Sequence, residues 1–183
     1  MRAAEVVTAA LPGIEIHSMH RRDLRSVLEI EKRVFPEPWS STIFGSELAL
    51  RHGRSYRVAK AGRHVVGYRG LMFSGEEAHV TTLAVAPEYH RRGVATFLLL
   101  DAVRTTVESG ALHLSLEVAF GNHGAQALYR RFGFSPVGIR KGYYQMTGED
   151  AYVMWAYDLP SPDYAERISG IEAELKNRPA VSK

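Results

Sequence analysis

Apolar and polar positions alternate through Ile14, Glu15, Ile16, His17 and Ser18, a two-residue period that predicts a half-buried strand. The period then changes. Leu24, Val27, Leu28, Ile30 and Phe35 recur at three- and four-residue spacing and predict a helix. Phe35-Pro36-Glu37-Pro38-Trp39-Ser40 ends it, because two prolines cannot continue helical hydrogen bonding. Ser41 is placed as the cap of a second helix reaching Leu50. Runs at 55–61, 64–73 and 77–85 predict three strands, with turns at Arg63 and Gly75-Glu76. A long helix over 93–109, a strand at 113–118, a helix at 124–132 and strands near 137–144 and 152–157 complete the order. The succession β-α-α-β-β-β-α-β-α-β-β predicts an α/β (α+β) domain, a mixed sheet with helices on both faces.

Residues 1–13 end in Pro12-Gly13 and read as a loose leader, residues 14–158 as the domain. The tail, 159–183, carries Pro160, Pro162 and Pro179. Its Ile168, Ile171 and Leu175 predict a short docked helix followed by a free end.

Composition narrows the function. A chain of 183 residues, 45% hydrophobic, suits one domain with a real core. It has no cysteine, which excludes disulfides, thiolate metal sites and a cysteine acyl-enzyme. The formal charge is +3 with the basic residues spread out, so neither direct nucleic-acid binding nor a membrane surface is expected. No apolar run approaches the ~20 residues of a membrane span, and Met1-Arg2-Ala3-Ala4-Glu5 lacks a signal peptide's apolar core; a cytoplasmic protein is expected. Eight histidines form no HExxH or comparable pattern, and no metal is assigned.

The candidate chemistry sits between residues 80 and 129. An apolar strand feeds His90-Arg91-Arg92-Gly93-Val94-Ala95, and a helix follows from Thr96. A small-residue turn at a helix start presents a row of backbone N–H groups at the positive end of the helix dipole, which suits a pyrophosphate. Gly93 alone reads equally as a turn glycine. Glu117 lies between Leu116 and Val118 and reads as an outward carboxylate or as a base. Asn122 reads as a turn residue, and Tyr129 as a residue packed on the sheet.

In order, these segments resemble the GCN5-related N-acetyltransferases (GNAT), and more narrowly the bacterial ribosomal-protein-alanine N-acetyltransferases. The glycine step, then Leu116-Glu117-Val118, Asn122, Ala125, Leu128-Tyr129 and Gly133-Phe134, carry the resemblance over roughly residues 14–158. The steps at Phe35/Pro38-Trp39, Arg140/Tyr143-Tyr144 and Glu149-Asp150-Ala151 match as well. His90 stands where Gln or Arg is usual, and Ala95 is the smaller-residue variant of the second glycine.

The resemblance implies a mostly antiparallel sheet with a V-shaped splay and acetyl-CoA as cosubstrate. It implies that Leu83, Ala84, Val85, Arg91, Arg92, Gly93, Val94, Ala95, Thr96 and Asn122 bind that cosubstrate, the Val85 N–H steadying the oxyanion. Glu117 is then the general base and Tyr129 the general acid; Glu37, Tyr143 and Tyr144, with Phe35 and Trp39, flank the acceptor groove. Without a cysteine nucleophile, the acetyl group moves directly to the acceptor. The implied acceptor is a protein N-terminus, the N-terminal alanine of small-subunit ribosomal protein eighteen, and the enzyme a monomer or weak dimer. His79 reads as a strand cap, with a helper base as the alternative. Two further readings stay open: a broader N-terminal, lysine or small-amine acetyltransferase, and a non-catalytic acyl-CoA-binding module.

Overall fold

The structure, a computed structural model, describes residues 11–50 and 52–181. It is built around a seven-stranded sheet. The strands are β1 (Glu15–Ser18), β2 (Arg54–Ala61), β3 (His64–Ser74), β4 (Glu77–Val85), β5 (His113–Ala119), β6 (Ser135–Tyr144) and β7 (Glu149–Ala156), in the spatial order β1-β2-β3-β4-β5-β7-β6. Every neighbouring pair is antiparallel except β4 and β5. The helices are α1 (Leu24–Val34), α2 (Ser41–Ala49), α3 (Val94–Glu108), α4 (His123–Arg131) and α5 (Pro162–Lys176).

Two cores flank the sheet. On one face, Val27, Ile30 and Phe44 of α1 and α2 bury against Tyr56, Val58, Tyr68 and Ala84. On the other, Phe97, Leu98, Tyr129, Ile171 and Leu175 of α3, α4 and α5 bury against Val66, Leu71, Leu116, Val118 and Met154. The two-residue period of the central strands β2, β3 and β4 divides their side chains between these cores.

Some expected boundaries move, each for a local reason. Ser40, not Ser41, caps α2: its hydroxyl accepts the Ile43 N–H at 3.3 Å. The last two strands start earlier than hydropathy places them, because β6 is an edge strand whose side chains face solvent almost throughout. The tail helix runs the full length from Pro162, with Ser161 as its cap and Pro162 at its first position. Leu11 is buried, and the Pro12 carbonyl accepts the Val181 N–H at 2.9 Å, so both ends of the described chain meet. The rest of the expected leader, residues 1–10, lies outside the described residues.

Candidate active site

The site begins where a ladder stops. β4 and β5 pair only through Glu77↔His113, Ala78↔Leu114 and His79↔Ser115. Beyond that point β5 stays with β7 as far as Ala119↔Ala151, while β4 stays with β3 as far as Val85↔Gly67. The sheet therefore opens into a V. A bulge sharpens it: Gly70 pairs with Thr82 and Leu71 with Val80, leaving Thr81 as the extra residue. Gly70 has no room for a side chain, since a Cβ there would lie 2.3 Å from the Tyr56 ring and 2.6 Å from the Thr81 hydroxyl.

The register also sets which amides face the opening. The Ala86 N–H donates to Val66 O at 2.9 Å, and hydrogen-bonded pairs alternate along an antiparallel ladder. Leu83 and Val85, opposite Arg69 and Gly67, therefore turn their N–H groups away from β3 and into the V. His90 Nε2 lies 2.8 Å from the Val85 carbonyl, which makes it the donor and covers that oxygen. The residue that departs from the usual Gln or Arg thus ties the loop to the end of β4.

The loop itself has the shape of an anion seat. Arg91 (φ 62°) and Gly93 (φ 91°) are both left-handed, a turn of backbone that aims successive N–H groups at one point. Ser40, Asn122 and Ser161 cap α2, α4 and α5, whereas α3 starts with no side-chain cap. Such a helix start, with no side chain on its first N–H groups, has the chemistry that suits an anion. Arg91 and Arg92 are exposed; the Arg92 guanidinium sits 5.2 Å over the Tyr89 ring. Asn122 accepts the Ala125 N–H at 3.1 Å through its side-chain oxygen, so its visible task is to start α4.

Glu117 leaves β5 on the face opposite Leu116 and Val118. Its carboxylate is 6% exposed and held from two sides, with His79 Nε2 at 2.9 Å and Arg140 Nη2 at 3.2 Å. Burial pushes the carboxyl up, but the His79 hydrogen bond and the charges of His79 and Arg140 outweigh it and hold the group below the ordinary carboxylate value. Behind His79, Nδ1 meets the Ser115 hydroxyl at 2.9 Å. His79 is therefore the direct partner of Glu117, a closer link than a strand cap.

Tyr129 approaches from the other face, in the core with Leu116 and Val118. Burial first, then Tyr144, raises its phenol far above the ordinary value, so it holds its proton. Strand alternation would send Tyr143 and Tyr144 to opposite faces, but β6 bulges here: Arg140 pairs with Ala151 and Tyr144 with Glu149. The two rings meet edge to face at 5.1 Å, and the Arg140 guanidinium lies 5.6 Å over Tyr143. Burial raises both phenols, that of Tyr144 to about 12, with Glu117 adding to each shift. The Glu37 carboxylate accepts the Met146 N–H, tying the α1–α2 loop to the β6–β7 turn. Trp39 and Phe35 pack on the α1–α2 core, Trp39 5.4 Å from Phe44.

Two contributors escape motif reading, and a third is read without its partner. Ser115 is signalled only by sharing a strand face with Glu117. Arg140 belongs to the matched Arg140/Tyr143-Tyr144 step, but its reach to Glu117 follows from the β5-β7-β6 order, which no local pattern reveals. Glu31 sits between Val27 and Val34 in the apolar stripe of α1, and that position was the available signal. It is buried, accepts the Trp39 N–H at 2.9 Å, and has its other oxygen unpartnered. Burial raises its carboxyl to about 7. Among the described residues no group of three His, Asp or Glu stands ready for a metal, and no helix is long and apolar enough to cross a membrane.

The opened sheet, the helix start with no side-chain cap and the buried carboxylate are the three features of this region that the comparisons with known proteins bear on. The acetyltransferase (GNAT) family profile matches residues 24–134. A Bacillus subtilis protein, provisionally named a ribosomal protein bS18-alanine N-acetyltransferase, is 39% identical over 140 residues, 76% of this chain and 93% of that one. The N-alpha-acetyltransferase RimI of Mycobacterium tuberculosis is 36% identical over 154 residues, 81% and 95% of the two chains. The crystal structure of the ribosomal-protein-S18-alanine N-acetyltransferase from Escherichia coli superposes with a TM-score of 0.73 at 29% identity, covering 79% of this chain and 94% of that one. The chain belongs to the GNAT acetyltransferase family, and it is an acetyl-CoA-dependent acyltransferase.

Proposed function

We propose that this enzyme acetylates the α-amino group of a protein N-terminus, and that its acceptor is the N-terminal alanine of ribosomal protein bS18. The names of the relatives support the acceptor class. The observation that carries the reading is the placement of the buried Glu117 carboxylate on β5 just past the point where β4 and β5 part.

The seat formed by Arg91, Arg92, Gly93, Val94, Ala95 and Thr96 would hold the diphosphate, and the edge of β4 at Leu83, Ala84 and Val85 the arm that carries the acetyl group. Bound there, acetyl-CoA supplies an acyl group activated as a thioester. The Val85 N–H faces the place where the carbonyl oxygen gains charge, and a preorganised donor of this kind contributes roughly 3–4 kcal/mol. Glu117 takes the proton of the attacking amine. An α-ammonium has a pKa of about 8, and the nitrogen becomes far more acidic as its bond to carbon forms, so a carboxylate of depressed basicity suffices. Tyr129, which keeps its proton, donates to the departing sulfur. His79 and Arg140 fix the carboxylate and keep it ionised before the amine arrives.

A panel of peptides with different first residues, one bearing the bS18 N-terminus and one N-terminally blocked with an internal lysine, tests this reading. The bS18-type peptide is expected to turn over fastest and the blocked peptide not at all. Preferred acetylation of the blocked peptide would assign the site to lysine instead. Tyr129→Phe is expected to lose about tenfold or more in turnover with acetyl-CoA binding intact; wild-type turnover would remove it from the reaction.

A further inference from the structure

The diphosphate seat is strained, and something outside it holds it in shape. Arg91 is a non-glycine residue at φ 62°, a conformation that L residues avoid and keep only where the surroundings over-determine it. The surroundings here are the C-terminal segment. Arg178 Nη1 donates to the Arg91 carbonyl at 3.3 Å. A Cβ on Gly93 would lie 3.1 Å from both Arg178 Cδ and Leu175 Cδ2, so the tail is seated directly against the loop.

α5 is in turn pinned along its length. Tyr164 donates its hydroxyl proton to Phe132 O at 2.7 Å, Arg104 of α3 reaches Glu172 at 2.5 Å, and Arg131 of α4 pairs with Glu174. After it, the Val181 N–H closes onto Pro12 O. The helix lies beyond the family-matched span of 24–134. The relatives, matched over 93% and 95% of their own lengths, account for only 76% and 81% of this chain.

We infer that α5 and the segment through Val181 form a built-in clamp on the diphosphate seat, with Arg178 as a positioning residue that sets acetyl-CoA affinity by holding Arg91 and Gly93 in their left-handed conformations. This rests on the reading of that loop as the acetyl-CoA seat. The clamp acts on binding and not on chemistry, because Arg178 and Leu175 lie directly against Arg91 and Gly93.

The test is calorimetric titration of acetyl-CoA into the full-length protein, alongside steady-state kinetics. Arg178→Ala is expected to raise Kd and the KM for acetyl-CoA about three- to tenfold, the scale of one lost hydrogen bond, while kcat at saturating donor stays. Amides 91–96 are expected to exchange faster with deuterium in the variant. Lys176→Ala, whose side chain pairs with Glu172, removes the same charge nearby and is expected to leave both constants alone. Equal binding by wild type and Arg178→Ala, or an equal loss in Lys176→Ala, overturns the clamp and leaves the seat standing. Failure of the wild-type protein to bind acetyl-CoA overturns the seat itself.

Discussion

Two ion clusters in this molecule use the same chemistry to opposite ends. Under the continuous part of the sheet, Arg57 and Arg69 are direct cross-strand partners, and Asp101 of α3 lies between them. Arg57 Nη1 and Arg69 Nε reach it at 2.9 and 2.8 Å, and Arg69 also donates to Ser55 and Thr105. The Arg69 and Asp101 side chains are 0% and 1% exposed. At the break in the sheet, Glu117 has a like pair of basic partners, but there Arg140 is 56% and His79 25% exposed. What separates the clusters is the ladder above them. Where β2 and β3 stay paired, the ions are sealed and hold α3 to the sheet. Where β4 and β5 part after His79 and Ser115, a ligand can reach the ions.

Swapping the damage between the clusters breaks this contrast most severely. Glu117→Gln is expected to lower kcat/KM by roughly 10²–10⁴ while acetyl-CoA binding holds and the fold loses much less stability than in the Asp101 variant, because its two partners are part-exposed. Asp101→Ala is expected to cost about 3–5 kcal/mol in urea unfolding, because it strands the buried Arg69 and takes a partner from the half-buried Arg57, with near-normal turnover per folded molecule. Normal stability in the second variant would erase the distinction.

A smaller effect concerns Glu31, which tethers the α1–α2 loop at Trp39. Its carboxyl is raised to about 7, so folding favours the protonated form. Its stabilising contribution is full below the ordinary carboxylate range and is lost as pH rises through about 7. The wild type is expected to lose about 2–3 kcal/mol between pH 5 and pH 8 from this group, and Glu31→Gln to flatten that slope. Glu117 has the reverse sign. Its depressed carboxyl stays ionised through the mild acid range, and its contribution fades only as pH falls below the ordinary carboxylate range. Protonation of Glu117 should therefore produce no acid limb in the rate above about pH 5.

The smallest expected effect sharpens the edge of the site. Asn122→Ala is expected to cost about 1 kcal/mol through the lost cap. An accompanying rise in the Kd for acetyl-CoA would add a cosubstrate contact to its capping role.

Much of this arrangement is legible before any coordinates. The periods of two and of three to four residues mark elements such as β1 and α1, because burial on one face imposes them. The glycine step at 93 shows in one dimension, since backbone shape there depends on neighbouring residues alone. Three things do not show. The β4–β5 opening depends on β7 taking the far side of β5, a pairing between residues tens of positions apart. The bulges at Thr81 and between Arg140 and Tyr144 shift registers that alternation assumes intact, and so mislead any assignment of Tyr143 and Tyr144 to faces. Arg140 joins Glu117 only through that altered register. Glu31 was readable as a charge within an apolar stripe, but its partner, the Trp39 amide, lies across a proline turn with no periodic signal.

The most direct test is single-turnover transfer of labelled acetyl from acetyl-CoA to a peptide with a free N-terminal alanine, comparing wild type with Glu117→Gln. The expected result is label on the α-nitrogen, delivered by the wild type at least a hundredfold faster. Equal rates in the two proteins, or label on the protein itself, would contradict direct transfer assisted by the carboxylate at the break in the sheet.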